Sequence, residues 1–103
     1  MKTPVFLIIQ ATANPEEGDA RQYYLENAGP ITAGHGAVTV ATYALTESLG
    51  SDVAPEVCVV VSFPSRESVD SAFSDPDYQR LVSYRDKGFS SIQYFVGTEQ
   101  IQS

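Results

Sequence analysis

Hydrophobic residues in this chain concentrate in four short runs, and stretches with helical spacing separate them. The runs are rich in β-branched and aromatic residues, which favour strands. We therefore predict strands at residues 3–13, 37–47, 55–63 and 89–97, with a loop at 48–52 and a polar tail from Thr98. In the second strand, side chains are expected to alternate between the two faces of the sheet. One face would carry Val38, Val40, Thr42 and Ala44, and the other Thr39, Ala41, Tyr43 and Leu45.

The two remaining stretches predict helices. Asn14 is a suitable cap and Pro15 a suitable first helical residue, so the first helix is expected over 14–34. Ser65 is expected to cap a second helix, and Asp75-Pro76 to restart helix beyond it by the same logic. The first helix has an apolar stripe and a glycine-rich end, formed by Ala20, Tyr24, Ala28 and Ile31, then Gly34, His35 and Gly36.

The order of elements is βαββαβ, which predicts an α+β fold whose antiparallel four-stranded sheet carries both helices on one face. The first strand, however, is apolar on both sides, with Leu7 and Ile9 on one and Phe6 and Ile8 on the other. Two helices cannot cover both faces, and a large exposed apolar face indicates an interaction surface. Because closed twofold dimers are the commonest oligomers, we predict a homodimer that packs sheet on sheet.

Length and charge narrow the classes of function. The 103 residues suit a single domain, spanning 1–103. Thirteen acidic residues against six basic ones give a net charge of −7, and the basic residues are scattered, so we expect neither a nucleic-acid nor a membrane partner. The chain has no secretory signal pattern and no apolar run near the ~20 residues of a membrane span, so a cytoplasmic location is expected.

Several motifs resemble domain-of-unknown-function family 1330, which belongs to the dimeric α+β barrel superfamily. They are residues 63–68, Ala72-Phe73, residues 75–79 and Arg85. Residues 14–16, Tyr24 and the stretch from Gly29-Pro30 to His35-Gly36 support the resemblance. The resemblance covers nearly the whole chain and implies a ferredoxin-like subunit that pairs into a barrel. It implies no activity, since the family has none established. Neighbours in the superfamily include cofactor-independent monooxygenases, haem-degrading enzymes and isomerases, which usually use a cavity between sheet and helices.

Few residues offer chemistry. His35, the single histidine, is the candidate catalytic residue, as a general base or a haem ligand, although a favourable position at a helix C-terminus also explains it. With one histidine and one cysteine, Cys58, no metal site is expected, and no cofactor is predicted. Arg85 follows Leu81 by one helical turn and can either cover the core or clamp a carboxylate ligand.

Six tyrosines offer flat apolar rings with a polar end, which suits an aromatic pocket as well as ordinary packing. Tyr24 is the main candidate for ligand binding because it lies on the apolar stripe of the first helix, and Tyr23 flanks it. These features predict a homodimer that binds a small organic molecule between sheet and helices. A cofactor-independent monooxygenase or isomerase and a structural or interaction module are the alternatives, and the sequence does not decide whether the protein is an enzyme.

Overall fold

Four strands and four helices make up the computed structural model, which describes residues 3–50 and 54–100. The elements in chain order are β1 (Val5–Ala13), α1 (Gly18–Gly34), β2 (Val38–Ala44), β3 (Val57–Phe63), α2 (Arg66–Ser74), α3 (Pro76–Gln79), α4 (Val82–Gly88) and β4 (Phe89–Gly97). The strands form one antiparallel sheet in the order β2-β3-β1-β4. This confirms the predicted α+β, ferredoxin-like fold. Parts of the predicted loop at 48–52 and of the tail lie outside the described residues.

Strand register gives the sheet two different faces. Leu7 pairs with Val61 of β3 and packs with α2 in the core, so its side defines the inner face. Its neighbour Ile8 pairs with Val60 and with Phe95 of β4, and these residues lie on the outer face. Helices cover the inner face alone, whereas large apolar side chains stay exposed on the other, as the two-sided pattern of β1 predicted.

The alternation of β2 is interrupted. Its pairing with β3 shifts just after Thr39, so Val40 is an extra residue of the kind found in β-bulges. Thr39 and Thr42 consequently pair with Val61 and Val59 and share the inner face. The prediction that these two threonines lie on opposite faces is therefore wrong, because strict alternation takes no account of an inserted residue.

The first helix starts later than predicted. Asn14 does not cap a helix at Pro15; its Oδ1 accepts the N–H of Glu16 at 3.1 Å, and its own N–H donates to Gly88 O at 3.0 Å. These bonds hold residues 14–17 in a turn, and α1 begins at Gly18. A cap competes with other local turns for the same side-chain oxygen, so residue type alone did not fix the start.

The other predicted helix ends are confirmed. Ser65 Oγ accepts the N–H of Ser68 at 3.2 Å and caps α2. Asp75 Oδ1 accepts the N–H of Asp77 at 2.9 Å and caps the short α3. At the end of α1 the chain turns through Gly36, whose positive φ of 90° suits glycine.

The helical layer has two apolar centres. One joins Val69 and Ala72 of α2 to the inner face of the sheet. The other joins Tyr24 and Ala28 of α1 to Tyr78 and Leu81, so α1 rests mainly on the later helices. Within the described ranges, no helix is both long enough and apolar enough to cross a membrane.

Candidate functional site

A cavity of about 530 Å³ lies between α1 and the inner face of the sheet. Alternate residues of β1 and β3 form an apolar floor that includes Leu7, Ile9, Ala11, Val57, Val59 and Val61. Aromatic side chains from four different elements form its walls, namely Tyr24, Phe73, Tyr78, Phe89 and Tyr94. The cavity is therefore a largely apolar chamber with a few polar side chains in its lining.

The position of α1 explains why this space stays open. α1 packs closely on α4, where Gly88 lies against the backbone of Arg21. The helix is thus held towards the β4 side of the molecule, and its contacts with the sheet are few. Val57, Val59 and Val61 of β3 are left half-buried beneath the space, although the pattern of β3 is that of a core strand.

The mouth of the cavity lies between α1 and β2. Leu25, Gly29 and Thr32 recur at helical spacing on one face of α1 and line the cavity. Thr39 and Thr42, brought to one face by the bulge, line it from β2. A Cβ atom built on Gly29 meets no atom within 4 Å, so the absent side chain at this position widens the opening.

Three tyrosine hydroxyls meet in the cavity wall. Tyr24 Oη lies 2.9 Å from Tyr78 Oη and 3.1 Å from Tyr94 Oη, and the last two are 3.5 Å apart. The tyrosines come from α1, α3 and β4, so the cluster exists only in the folded chain. Phe73 packs edge-on against Tyr78 and Tyr94 and keeps their rings in place.

Arg85 completes this cluster from α4. Its Nη1 donates to Tyr78 Oη at 3.2 Å, and its guanidinium carbon lies 5.6 Å from the centre of the Tyr94 ring. The neighbouring carboxylate of Asp86 is exposed and accepts from Nε and Nη2. Burial lowers the pKa of Arg85, but the hydrogen bond to Tyr78 outweighs this effect and leaves that pKa above its ordinary value. Arg85 is therefore a permanent cation beside the hydroxyls.

Two tyrosines of the cluster, Tyr24 and Tyr94, stay protonated. Burial raises the pKa of Tyr24 well above its ordinary 10.0, and the charges that Tyr94 and Tyr78 would carry add to the effect. Burial likewise raises the pKa of Tyr94, although the bond to Tyr24 and the Arg85 charge act in the opposite direction. Both groups therefore act as neutral hydroxyls at physiological pH, able to donate a hydrogen bond.

His35 lies elsewhere, at the end of α1 and outside the cavity lining. Its Nε2 is 2.9 Å from Asp75 Oδ2, so it connects the end of α1 to the cap of α3. The bond to His35 holds the pKa of Asp75 below its ordinary 3.8, and the N–H of Asp77 contributes to this. The catalytic role predicted for His35 remains a prediction, and the observed contacts are structural.

The three residues predicted to bind a ligand differ in their position relative to the cavity. Tyr24 lines the cavity, and Arg85 contacts the hydroxyl cluster from behind the lining. Tyr23 points away; it is exposed and its ring packs on that of Tyr84 at 4.5 Å between centres. Tyr78 and Tyr94 were not among the residues predicted to bind a ligand. Tyr94 shares a strand face with Ile92 at the spacing of two, which was the available signal for an inward position.

Two charged side chains also line the cavity, and both are engaged with backbone atoms. Arg21 Nη1 donates to the carbonyl of Asn14 at 2.7 Å. Glu56 Oε1 accepts the N–H of Ala13 at 2.8 Å. Across residues 3–50 and 54–100, no three histidine, cysteine or acidic side chains come together in a way that could hold a metal ion.

The fold and the cavity define a ferredoxin-like α+β protein with an apolar chamber between sheet and helices. The chain belongs to the family described as Domain of unknown function (DUF1330), whose sequence profile matches residues 4–97. This confirms the resemblance found in the sequence motifs. None of the curated protein sequences matches the chain.

Solved structures support the same fold at low identity. A protein of unknown function from Rhodopseudomonas palustris, RPA0582, has a TM-score of 0.83 at 15% identity, with 99% of this chain and 86% of that one covered. SnoaB, a cofactor-independent oxygenase from Streptomyces nogalater, has a TM-score of 0.67 at 12% identity, with 97% and 96% covered. A dimeric ferredoxin-like protein of unknown function from Thermobifida fusca has a TM-score of 0.64 at 11% identity, with 96% and 93% covered.

Proposed function

We propose that this protein binds a small organic molecule in the cavity between α1 and the inner face of the sheet. The observation that carries the proposal is an unfilled space of about 530 Å³ with an apolar floor and a cluster of tyrosine hydroxyls in its wall. Small-molecule sites commonly have roughly 300–1,000 Å³, a mainly apolar lining and a few polar groups that fix orientation. The cavity has each of these properties.

A purely structural role accounts less well for the same space. Protein interiors pack as densely as organic crystals, and unfilled apolar volume lowers stability because its lining loses contacts. Leucine or phenylalanine at the mouth would close the chamber, yet position 29 is a glycine with open space before it. A binding site explains why the opening is kept, whereas a structural or interaction module has no need of it.

We also propose that the working unit is a homodimer formed through the outer face of the sheet. Val38, Tyr43 and Phe95 are exposed there, and Ile8 and Val60 are half-buried beside them. A contiguous apolar face of this kind is typical of protein interfaces, and a twofold pairing buries it on both copies at once. The dimeric state of the Thermobifida fusca protein with the same fold supports the proposal.

A cofactor-independent monooxygenase or isomerase is the second candidate, and the similarity of fold to SnoaB favours its oxygenase form. Such an activity would place a substrate in the same cavity, so binding is the more general statement. Its test is oxygen uptake and product formation with any ligand found, in the native protein and in His35→Ala. Turnover that survives the substitution would contradict the role of His35 as the base.

Native mass spectrometry of protein purified without added ligands tests the binding proposal first. We expect a species near twice the chain mass that carries a retained small molecule, or one that takes up compounds identified in a thermal-shift screen. A bare dimer without any ligand across a broad screen would contradict binding and favour an interaction module. A monomer under native conditions would contradict pairing through the outer face.

A further inference from the structure

Arg85 can only donate, and the shortest contacts of the tyrosine cluster favour one direction for the hydrogen bonds beyond it. A guanidinium has N–H groups and no acceptor, so Tyr78 Oη must accept from Arg85 Nη1, 3.2 Å away. The Tyr78 hydroxyl has a single proton to give. Its nearer neighbour is Tyr24 Oη at 2.9 Å, whereas Tyr94 Oη is 3.5 Å away, so the shorter contact favours Tyr24 as the acceptor of this proton.

The hydrogen bonds continue in the same direction from Tyr24 to Tyr94. Tyr24 accepts from Tyr78, so its own proton is given to Tyr94 Oη at 3.1 Å. For the proton of Tyr94, the hydroxyl oxygen still within reach among the described residues is Tyr78 Oη, at the 3.5 Å limit of a hydrogen bond. Tyr94 also lines the cavity. The series Arg85, Tyr78, Tyr24, Tyr94 therefore ends in an O–H group at the cavity wall, and each bond in such a series strengthens the next.

The charges around this end favour a negative partner. The guanidinium of Arg85 lies over the Tyr94 ring and makes its hydroxyl a better donor. Asp86, the carboxylate on Arg85, is exposed and bonds to nitrogens other than the one that reaches Tyr78. The carboxylate that lines the cavity, Glu56, is engaged with the N–H of Ala13. The hydroxyl cluster thus offers donors and positive charge, and the facing floor is apolar.

We propose that the Tyr94 hydroxyl, held by Tyr24, Tyr78 and Arg85, binds an anionic oxygen attached to a ring, as in an enolate or a phenolate. The proposal rests on the proposed function and names the class of ligand that the cavity takes. Tyr94 is the contacting residue, and Arg85 is a positioning residue that acts through the other hydroxyls. Hydrogen bonds to charged groups contribute more than those between neutral groups, so the site discriminates an anion from its neutral ether.

The test compares two probes of nearly equal shape, 2-hydroxy-1,4-naphthoquinone, which is an enolate at neutral pH, and its 2-methoxy ether. Calorimetric titration of the whole protein at neutral pH gives the affinity of each. We expect the enolate to bind at least about tenfold more tightly than the ether, and Tyr94→Phe to remove most of that ratio while the ether affinity stays within about twofold. Tyr84→Phe, which alters a tyrosine outside the cavity, is the matched control.

A variant of Arg85 tests the direction of the series. Arg85→Met removes the first donor, so the enolate-to-ether ratio falls towards one, and Arg85→Lys restores part of it. A merely structural role of Arg85 would weaken both probes together and would contradict the proposal. Equal binding of enolate and ether to the native protein would overturn the proposal and leave the binding function intact. Failure of both probes to bind would overturn the proposal, whereas only the absence of any ligand across the broad screen would contradict the binding function.

Discussion

Gly88 of α4 and Arg21 of α1 pack so closely that a Cβ atom at position 88 would lie 2.6 Å from Arg21 Cα. The neighbouring atom belongs to a helix backbone, which cannot move aside as a flexible side chain can. We predict that Gly88→Ala forces the two helices apart and lowers the free energy of unfolding by about 1–3 kcal/mol. Urea unfolding measures the change, with Gly97→Ala as control because open space surrounds that glycine. Equal stabilities for the two variants would contradict this account of how α1 is held.

The mouth of the cavity offers a way to test the proposed binding without disturbing the core. In Gly29→Leu, the new side chain lies between Leu25 and Thr32 on the face of α1 that lines the cavity. We predict loss of ligand uptake by at least about tenfold, with stability unchanged or higher because leucine favours helix over glycine by up to about 1 kcal/mol. Gly34→Leu, at the end of α1 and outside the lining, is the matched control. Unaltered uptake in Gly29→Leu would place the ligand elsewhere.

The hydroxyl of Tyr78 is buried and bonded to both Tyr24 and Arg85. In Tyr78→Phe the ring packing stays, but an Arg85 N–H and a Tyr24 hydroxyl lose their partner in a place where water has little access. We predict a loss of about 1–3 kcal/mol in the free energy of unfolding, measured in urea. Tyr84, an exposed tyrosine of the helical layer, provides the control variant Tyr84→Phe, for which the change should be within about 0.5 kcal/mol.

The pair formed by His35 and Asp75 gives the protein a pH dependence in acid. The pKa of Asp75 is lower in the folded chain than its ordinary 3.8, so its carboxylate stabilises the fold above that pH. This contribution is lost as the pH falls below 3.8 towards the folded-state pKa. We predict that Asp75→Asn, which keeps a capping oxygen, is less stable than the native protein at pH 6 and that the difference shrinks towards pH 3.

Denaturant unfolding at a series of pH values measures this dependence. Asp70→Asn is the control, since Asp70 pairs with Arg66 on the exposed side of α2, where ion pairs contribute little. A stability difference for Asp75→Asn that stays constant from pH 6 to pH 3 would show that the charge of Asp75 does not stabilise the fold.

The outer face of the sheet can be tested with a single charge. Phe95 is exposed on β4 and pairs with Ile8 at the centre of that face. Burying a carboxylate without a partner costs several kcal/mol, so Phe95→Glu should convert the proposed dimer to a monomer in light scattering. Tyr84→Glu places the same charge at an exposed aromatic residue of the helical layer and should leave the dimer intact. A dimeric Phe95→Glu protein would indicate pairing through another surface.

Most of the architecture could be predicted from local patterns. The apolar run that became β4 has the bounds that its composition predicted, and Ser65 and Asp75 cap helices as their residue types indicated. These features depend on neighbours along the chain, so a sequence contains them directly. The start of α1 could not be predicted from local patterns. The side chain of Asn14 accepts the N–H of Glu16 in a turn, and the backbone N–H of Asn14 donates to the distant carbonyl of Gly88, which also holds this turn.

The candidate site likewise combines features that local sequence patterns predicted with features that they did not. The sequence by itself determined the apolar inner face, the position of Tyr24 on α1 and the presence of Arg85 on the last helix, since each follows from a spacing of two or of three to four residues. The tertiary structure alone decided that Tyr24, Tyr78 and Tyr94 meet, that His35 joins Asp75 instead, and that α1 stands off the sheet. The physical reason is that these relationships join residues far apart in the chain. No periodic pattern records them, and none records the close contact between Gly88 and Arg21 or the inserted residue Val40.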